Sequence, residues 1–291
     1  MRFDLLEPAS IEEALQLLGR EDARVIGGGT ALVVLMKNRL LSPKYLVSLG
    51  KVPGQAFVEP SGTGVRLGAH TRLWEIEHSP LVGERLPLLR RVMGHIGNVR
   101  VRAVATVGGT LCEADYQSDF SVGLVALGAR VRARGPRKER VIPIEEFYVG
   151  PYTTALEPDE LVTGVEIDAP PAGAGTAYLK HVTGPATDRP CVAVAAVLGV
   201  DAGGRCVHCR LVVGAVNGVS SLPLRIRRAE ELIAGRELTT EAIDAMSAIA
   251  YEEADPVSDL KAPDWYKKRM VRVFCRRALQ EAWRRCVATR P

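Results

Sequence analysis

No apolar run in this 291-residue chain is long enough to cross a bilayer. The longest, CVAVAAVLGV at 191–200, is about half of the roughly 20 residues a spanning helix needs. No leader is read either, because Met1 runs into RFDLLEP rather than into a basic segment with an apolar core, and a cytoplasmic protein is expected. Charge of one sign is scarce. Lys and Arg number 38 against 34 Asp and Glu, and they cluster only in RARGPRKER at 132–140 and at the arginine-rich C-terminus, so nucleic acid is not a favoured partner. The first cluster holds Gly135 and Pro136 between two β-like segments and reads as a solvated hairpin loop rather than a phosphate patch. Cysteine is sparse as well, with six scattered at 112, 191, 206, 209, 275 and 286. Only Cys206-Val207-His208-Cys209 has ligand-like spacing, and no second pair completes the about four ligands of a structural metal site. The cysteines are expected to be reduced in or beside an antiparallel sheet, Cys112 as a small, at least partly buried filler, with no metal and no iron–sulfur cluster bound by this chain alone. Five histidines, at 70, 78, 95, 181 and 208, are too dispersed to argue for a catalytic base.

What is present is enough apolar residue, 47%, to bury the core of one large or two ordinary domains. PASIEEALQLL at 8–18 opens with Ser10 and Glu13 in capping-box spacing and repeats Ile11, Ala14, Leu15 and Leu18 at helical period, which predicts a short helix. Next come a strand and glycine turn in ARVIGGGT, a helix in ALVVLMKNRL and a strand in KYLVSL. Residues 65–80 read as a strand, a turn with Thr71 as helix cap, and a short helix; 84–97 read as helical. A helix is expected at 119–127, with strands near 129–134, 140–143 and 161–167. APPAGAGT at 169–176 breaks every period and is the expected domain boundary. Three strands in AYLKHV, CVAVAAVLGVD and CRLVVGAV follow, then helices in RAEELIAG and EAIDAMSAIAYEEA. The last helix, 265–286, places Met270, Val273, Phe274, Leu279 and Trp283 near helical spacing.

One pattern occurs twice. VIGGGT at 25–30 and TVGGT at 106–110 both follow apolar, β-branched residues and carry paired glycines into a threonine. Closely spaced glycines let backbone N–H groups approach an anion, and a helix starting just beyond adds its positive end. Neither turn is a P-loop, since no Gly-Lys-Ser/Thr follows. Neither is a dinucleotide fingerprint: Gly27 and Gly29 fit its first two glycines, but Leu32 holds the third position and KYLVSLG offers no acidic residue. Each alone also suits a tight strand-to-helix turn; together they suggest one ligand with two linked phosphates. Asp119 could accept from ribose hydroxyls or cap a helix.

At these residues the chain resembles the flavin subunit of the molybdenum hydroxylases, most closely the medium subunit of aerobic carbon monoxide dehydrogenase-type enzymes, whose FAD domain is shared with xanthine dehydrogenase. The resemblance runs nearly the whole length, through GGGTALVVLMKNRLLSPKYLVSL, VRAVATVGGTL, SDFSVGLVALGARV, FYVGPYTTALEPDELVTGVEI, YLKHVTGPATDRPCVAVAA and DPVSDLKAPDWYKKRMVRVFCRRAL. It implies an α+β fold: a PCMH-type FAD-binding domain of two α/β subdomains at 1–172, then a C-terminal domain at 173–291 with a small antiparallel sheet and helices. By the same resemblance the FAD diphosphate and neighbouring ribityl chain would lie on Val25, Ile26, Gly27, Gly28, Gly29, Thr30, Ala31 and Leu32 and on Thr106, Val107, Gly108, Gly109 and Thr110, largely through backbone N–H groups. Asp119 would fix the adenosine ribose, Val162 would lie beside the isoalloxazine, and Lys180 would stand near the flavin edge.

The implied role is electron relay rather than substrate chemistry, the cofactor carrying the electrons and the protein supplying position. A molybdopterin-binding large subunit would oxidise the substrate, a small subunit with two [2Fe-2S] clusters would pass electrons, and FAD here would deliver them to an external acceptor. The competing expectations are a freestanding flavin oxidoreductase and a nucleotide-binding assembly protein that has lost FAD. The chain departs from the family's usual residues at Arg100, Ala103, Thr110 and Glu113-Ala114-Asp115-Tyr116, all outside the glycines themselves.

Overall fold

A computed structural model describes residues 2–216, 218 and 222–288. It begins with β1 (Asp4–Leu6), α1 (Ile11–Leu18), β2 (Ala23–Ile26), α2 (Leu32–Lys37) and β3 (Tyr45–Ser48). The strands form a parallel sheet in the order β1-β3-β2. α1 starts where expected: the Ser10 hydroxyl accepts from the Glu13 N–H at 3.1 Å, and the Glu13 carboxylate takes the Ala9 N–H at 2.8 Å, closing two donors that a helix start leaves open. Its apolar stripe of Ile11, Ala14 and Leu15 packs with Ala23, Val47 and Leu161. β1 has no counterpart among the expected elements, because its mostly exposed three residues show no alternation.

The chain continues through β4 (Val58–Ser61), β5 (Gly64–Gly68), α3 (Leu73–His78), α4 (Pro80–Arg85), α5 (Pro87–Met93), α6 (Val99–Arg102), α7 (Val107–Glu113) and α8 (Asp119–Leu127). Then follow β6 (Arg130–Arg134), β7 (Glu139–Pro143), α9 (Ile144–Phe147), β8 (Tyr148–Gly150), β9 (Thr153–Thr154) and β10 (Leu161–Ile167). The second sheet is antiparallel, β4-β5-β10-β6-β7. Two expectations change. Thr71 caps no helix; its hydroxyl donates to the Phe57 carbonyl at 2.8 Å and accepts the Phe57 N–H at 2.9 Å, leaving Arg72 at the start of α3. The helix expected at 84–97 is two helices hinged at Leu86, each with proline at its first position, where the missing N–H costs nothing. The basic run at 132–140 is the β6–β7 hairpin, and three of its four arginines are paired: Arg132 with Glu166 at 2.6 Å, Arg134 with Glu12 at 2.5 Å and Arg140 with Glu160 at 2.7 Å.

The last part holds β11 (Gly175–His181), β12 (Val192–Val200), β13 (Cys206–Gly214), β14 (Leu224–Arg225), α10 (Arg227–Ile233), α11 (Thr240–Glu253) and α12 (Asp264–Ala288). Its sheet is antiparallel in the order of the chain. β12 is buried along its length except at Val200, because α8 covers one face of this sheet and α12 the other. α8 is itself buried from Asp119 to Ala126, as a helix apolar all round must be. α12 buries Val271, Cys275, Ala278, Leu279, Ala282 and Cys286. Of the expected stripe only Leu279 reaches the core; Met270, Phe274 and Trp283 pack at its margin. Small residues win the central face because the helix lies so close to β11 that a Cβ at Gly175 would overlap the Ala282 carbonyl.

Candidate functional site

The two glycine turns lie against one another. A Cβ on Gly27 would fall 2.5 Å from Thr106 Oγ1, and one on Gly28 would overlap the Val104 carbonyl and come within 2.8 Å of Ala105 Cα. Glycine is therefore required by contact at both positions, and at Gly29 by a backbone φ of +70°. Val25 and Ile26 end β2, delivering this turn from the parallel sheet.

The N–H groups of the two turns have different fates. In residues 27–32, among the described residues, none donates to another group of the chain. Gly27, Gly28, Gly29, Ala31 and Leu32 are half-buried and Thr30 is exposed, so a row of unspent donors faces reachable space. At the second turn Val107 N–H donates to Thr71 O at 3.0 Å, Gly108 N–H to Ala69 O at 2.7 Å, Gly109 N–H to Thr106 Oγ1 at 3.2 Å and Thr110 N–H to Thr106 O at 2.9 Å. The Thr110 hydroxyl also turns back onto Thr106 O, at 2.9 Å. The second turn's N–H donors are thus taken up by the chain itself, whereas those of the first are not. Nor is the second a strand-to-helix turn: α6 precedes it, and Gly108 and Gly109 lie within the first turn of α7.

Asp119 and Lys180 meet each other. Lys180 Nζ donates to Asp119 Oδ2 at 2.9 Å and to the His95 carbonyl at 2.8 Å, and the Tyr178 hydroxyl donates to Asp119 Oδ1. The side chains of Lys180 and Asp119 are 3% and 6% exposed. Burial pushes the Asp119 carboxyl above its usual range, against the opposing pull of Lys180 and Tyr178. Burial, then the Asp119 charge, pushes the Tyr178 phenol well up, so it remains a donor. Burial, then Lys180 and Arg91, lowers His95, whose ring tilts against that of Tyr178. Asp119, expected at the adenosine ribose, and Lys180, expected at the flavin edge, thus meet in one buried ion pair. The helix cap here is Ser118, not Asp119. Val162 is also closed off, 5% exposed in the main core and opposite Ala133.

Sequence reasoning missed Tyr178. The signal was there, since residues two apart on a strand share a face and Tyr178 precedes Lys180 on β11. It also missed the connector between α7 and α8. There Arg189 meets Glu113 at 2.7 Å and Asp115, while Gln117 Nε2 donates to the Pro190 carbonyl at 3.2 Å and Lys261 Nζ to the Arg189 carbonyl at 2.8 Å. These contacts join residues 113–117 to segments far along the chain, which no local pattern announces. Cys112, expected to be at least partly buried, reaches solvent; protein crowds its other sides, and desolvation pushes its thiol up to about 12.

A row of free N–H groups, flanked by glycines that leave room for close approach, suits the acceptor-rich diphosphate of a dinucleotide. The FAD binding domain in molybdopterin dehydrogenase matches residues 1–170, and the CO dehydrogenase flavoprotein C-terminal domain matches residues 177–282. The carbon monoxide dehydrogenase medium chain of Afipia carboxidovorans is 34% identical, the alignment covering 96% of each chain. The nicotine 6-hydroxylase medium subunit of Paenarthrobacter nicotinovorans is 33% identical over 94% of this chain and 95% of that one. Among solved structures, carbon monoxide dehydrogenase from Hydrogenophaga pseudoflava superposes with a TM-score of 0.94 at 32% identity, covering 98% of this chain and 99% of the other. The architecture of a FAD-binding part followed by a small antiparallel sheet with helices agrees with this neighbour. With fold, open turn and both domain matches in accord, the chain belongs to the FAD-binding medium subunits of the molybdopterin dehydrogenases, of the carbon monoxide dehydrogenase type.

Proposed function

We propose that this chain is the electron-transfer subunit of a molybdenum hydroxylase complex, accepting electrons from [2Fe-2S] clusters on a small partner subunit and passing them to an external acceptor. A molybdopterin-binding large subunit completes the assembly, in the cytoplasm, and selects the substrate. The observation that carries this reading is the run of unspent N–H groups at residues 27–32, braced from behind by Val104, Ala105 and Thr106. FAD, when bound, supplies the capacity to take up and release electrons. The chain's own residues do the rest. Gly27 to Leu32 hold the diphosphate by backbone donors, the second turn fixes the first in place, and the Asp119–Lys180 pair stiffens the junction of α8 with β11. We assign the FAD-binding domain to residues 1–172 and the C-terminal domain to 173–291. The substrates in the names of the relatives, carbon monoxide and nicotine, differ while the medium chains align end to end, which supports placing substrate choice on another subunit.

The test is an absorption spectrum of the purified chain before and after FAD is added, with thermal unfolding in parallel. A ligand bound only by the folded state at about 100 times its Kd stabilises it by about 2.7 kcal/mol. Flavin bands that co-elute with a stabilised chain, and that bleach when reduced [2Fe-2S] subunit is added, are expected. A folded chain that takes no FAD even with both partner subunits present overturns the reading.

A further inference from the structure

The motif Cys206-Val207-His208-Cys209 takes no part in the site above. On a regular strand, residues three apart point to opposite faces, but β13 is irregular here. Gly199 pairs with His208 and Val200 with Cys206, so Val207 is the extra residue of a β-bulge. The bulge rotates Cys206 onto the face of Cys209. Both then pack with Leu198, Leu211 and Val213 in the C-terminal core, while Val207 points outward, 64% exposed.

Spacing changes with the face. Three regular steps along a strand span roughly 10 Å, while two ladder positions span roughly 6.6 Å. Disulfide-bonded Cα atoms lie about 4.4–6.8 Å apart, so the bulge brings the pair from out of range to its long end. The Cys206 thiol donates to the His208 carbonyl at 3.4 Å, and the neighbouring thiols interact: Cys209 holds Cys206 below its usual value, and Cys206, with burial, holds Cys209 well above. Both line a cavity of about 410 Å³ bordered by Glu230, Glu231 and Ala234, which admits a small reagent to otherwise enclosed sulfur. A metal is not the better occupant: His208 also borders this cavity, but no group of three suitable ligands occurs among the described residues.

We propose that Cys206 and Cys209 form a two-electron redox pair that a hydroperoxide converts into an intramolecular disulfide. The Cys206 thiolate attacks one peroxide oxygen and the O–O bond breaks, the other oxygen leaving with a proton as an alcohol, or as water from hydrogen peroxide. The Cys209 sulfur then displaces the hydroxyl of the Cys206 sulfenic acid as water, and the S–S bond forms. In sum, two thiols and one hydroperoxide give one disulfide, one alcohol and one water. The bond closes a loop of only four residues, and the entropic gain of a cross-link falls with loop size. The pair therefore records oxidation and is reversed by thiol exchange; it is not a structural staple.

Arg205 and Arg210 place both cysteines in one tryptic peptide. The full-length chain is treated with one equivalent of hydrogen peroxide, alkylated, digested and analysed by mass spectrometry. The expected result is a Cys206–Arg210 peptide that has lost two hydrogens, escapes alkylation and recovers on addition of dithiothreitol. Cys112, exposed but with its thiol pushed up to about 12, escapes oxidation, because the thiolate is the reactive form, and is alkylated once the chain is denatured. Cys209→Ser abolishes the loss of hydrogens. A native peptide that remains doubly alkylated, or that gains oxygen instead of losing hydrogen, overturns the proposal.

Discussion

At Gly27–Leu32 six successive N–H groups meet no acceptor among the described residues, whereas at Val107–Thr110 all four donate to Thr71, Ala69 and Thr106. The two turns look alike in sequence, yet glycine serves a different physical need in each. In the first it leaves donors exposed and permits the positive φ of Gly29; in the second it permits close approach, Gly108 lying where a Cβ would come within 3.1 Å of Ala69. The contrast extends to side chains. Thr30 is exposed and its hydroxyl meets no partner among the described residues, while Thr106 is 3% exposed and caps α7. Asp119 and Lys180 are sealed on each other. The proposed FAD site therefore joins a small open part to a larger closed part that packs against it.

The strongest way to break this division is at the closed ion pair. Lys180→Met leaves Asp119 buried without its cation and is expected to cost about 3–5 kcal/mol of stability, measured by denaturant unfolding at pH 7. The sign with pH follows from the carboxyl. Its folded pKa is already raised and rises further without Lys180, so its charge penalty is largest above that pKa. The deficit therefore shrinks as pH falls toward the ordinary Asp value of about 3.9. A deficit independent of pH would mean that the pair is not what seals this region.

Next in size is the contact between the turns. Gly28→Ala forces a methyl onto the Val104 carbonyl, a backbone atom that cannot rotate away, and overpacking of this kind costs about 1–3 kcal/mol. Because the first turn must move, FAD affinity by titration is expected to fall at least about tenfold, equivalent to about 1.4 kcal/mol. The smallest and sharpest test pairs two threonines. Thr106→Val removes a helix cap and is expected to lower stability by about 1 kcal/mol with little change in FAD affinity. Thr30→Val is expected to leave the melting temperature unchanged while weakening FAD about 2–10-fold, the worth of one net hydrogen bond. Equal effects of the two on both readouts would erase the distinction.

The elements legible in the sequence are those set by local pattern. α1 shows its cap and stripe, β2, α2 and β3 follow from the first turn, and the β6–β7 hairpin and the strands β11, β12 and β13 carry turn residues at their ends. The position and glycine content of both turns were legible too. What those turns do was not, because two of the second turn's four donors go to the carbonyls of Ala69 and Thr71, some 40 residues earlier. The same limit hid the Asp119–Lys180 pair, whose members are 61 residues apart, and the bulge at Val207, which exists only in the register of β13 against β12. The buried face of α12 was misread for another reason: large apolar residues were weighted above alanine and cysteine, while close packing on Gly175 demands the small ones.

Residue-resolved amide hydrogen exchange, with and without FAD, measures the division between the turns directly. Without FAD, the amides of Gly27 to Leu32 are expected to exchange fast and those of Val107 to Thr110 slowly. With FAD bound, protection appears at residues 27–32 and barely changes at 107–110. Protection gained mainly at 107–110, with 27–32 still exchanging freely, would contradict the account that the first turn holds the cofactor and the second holds the first.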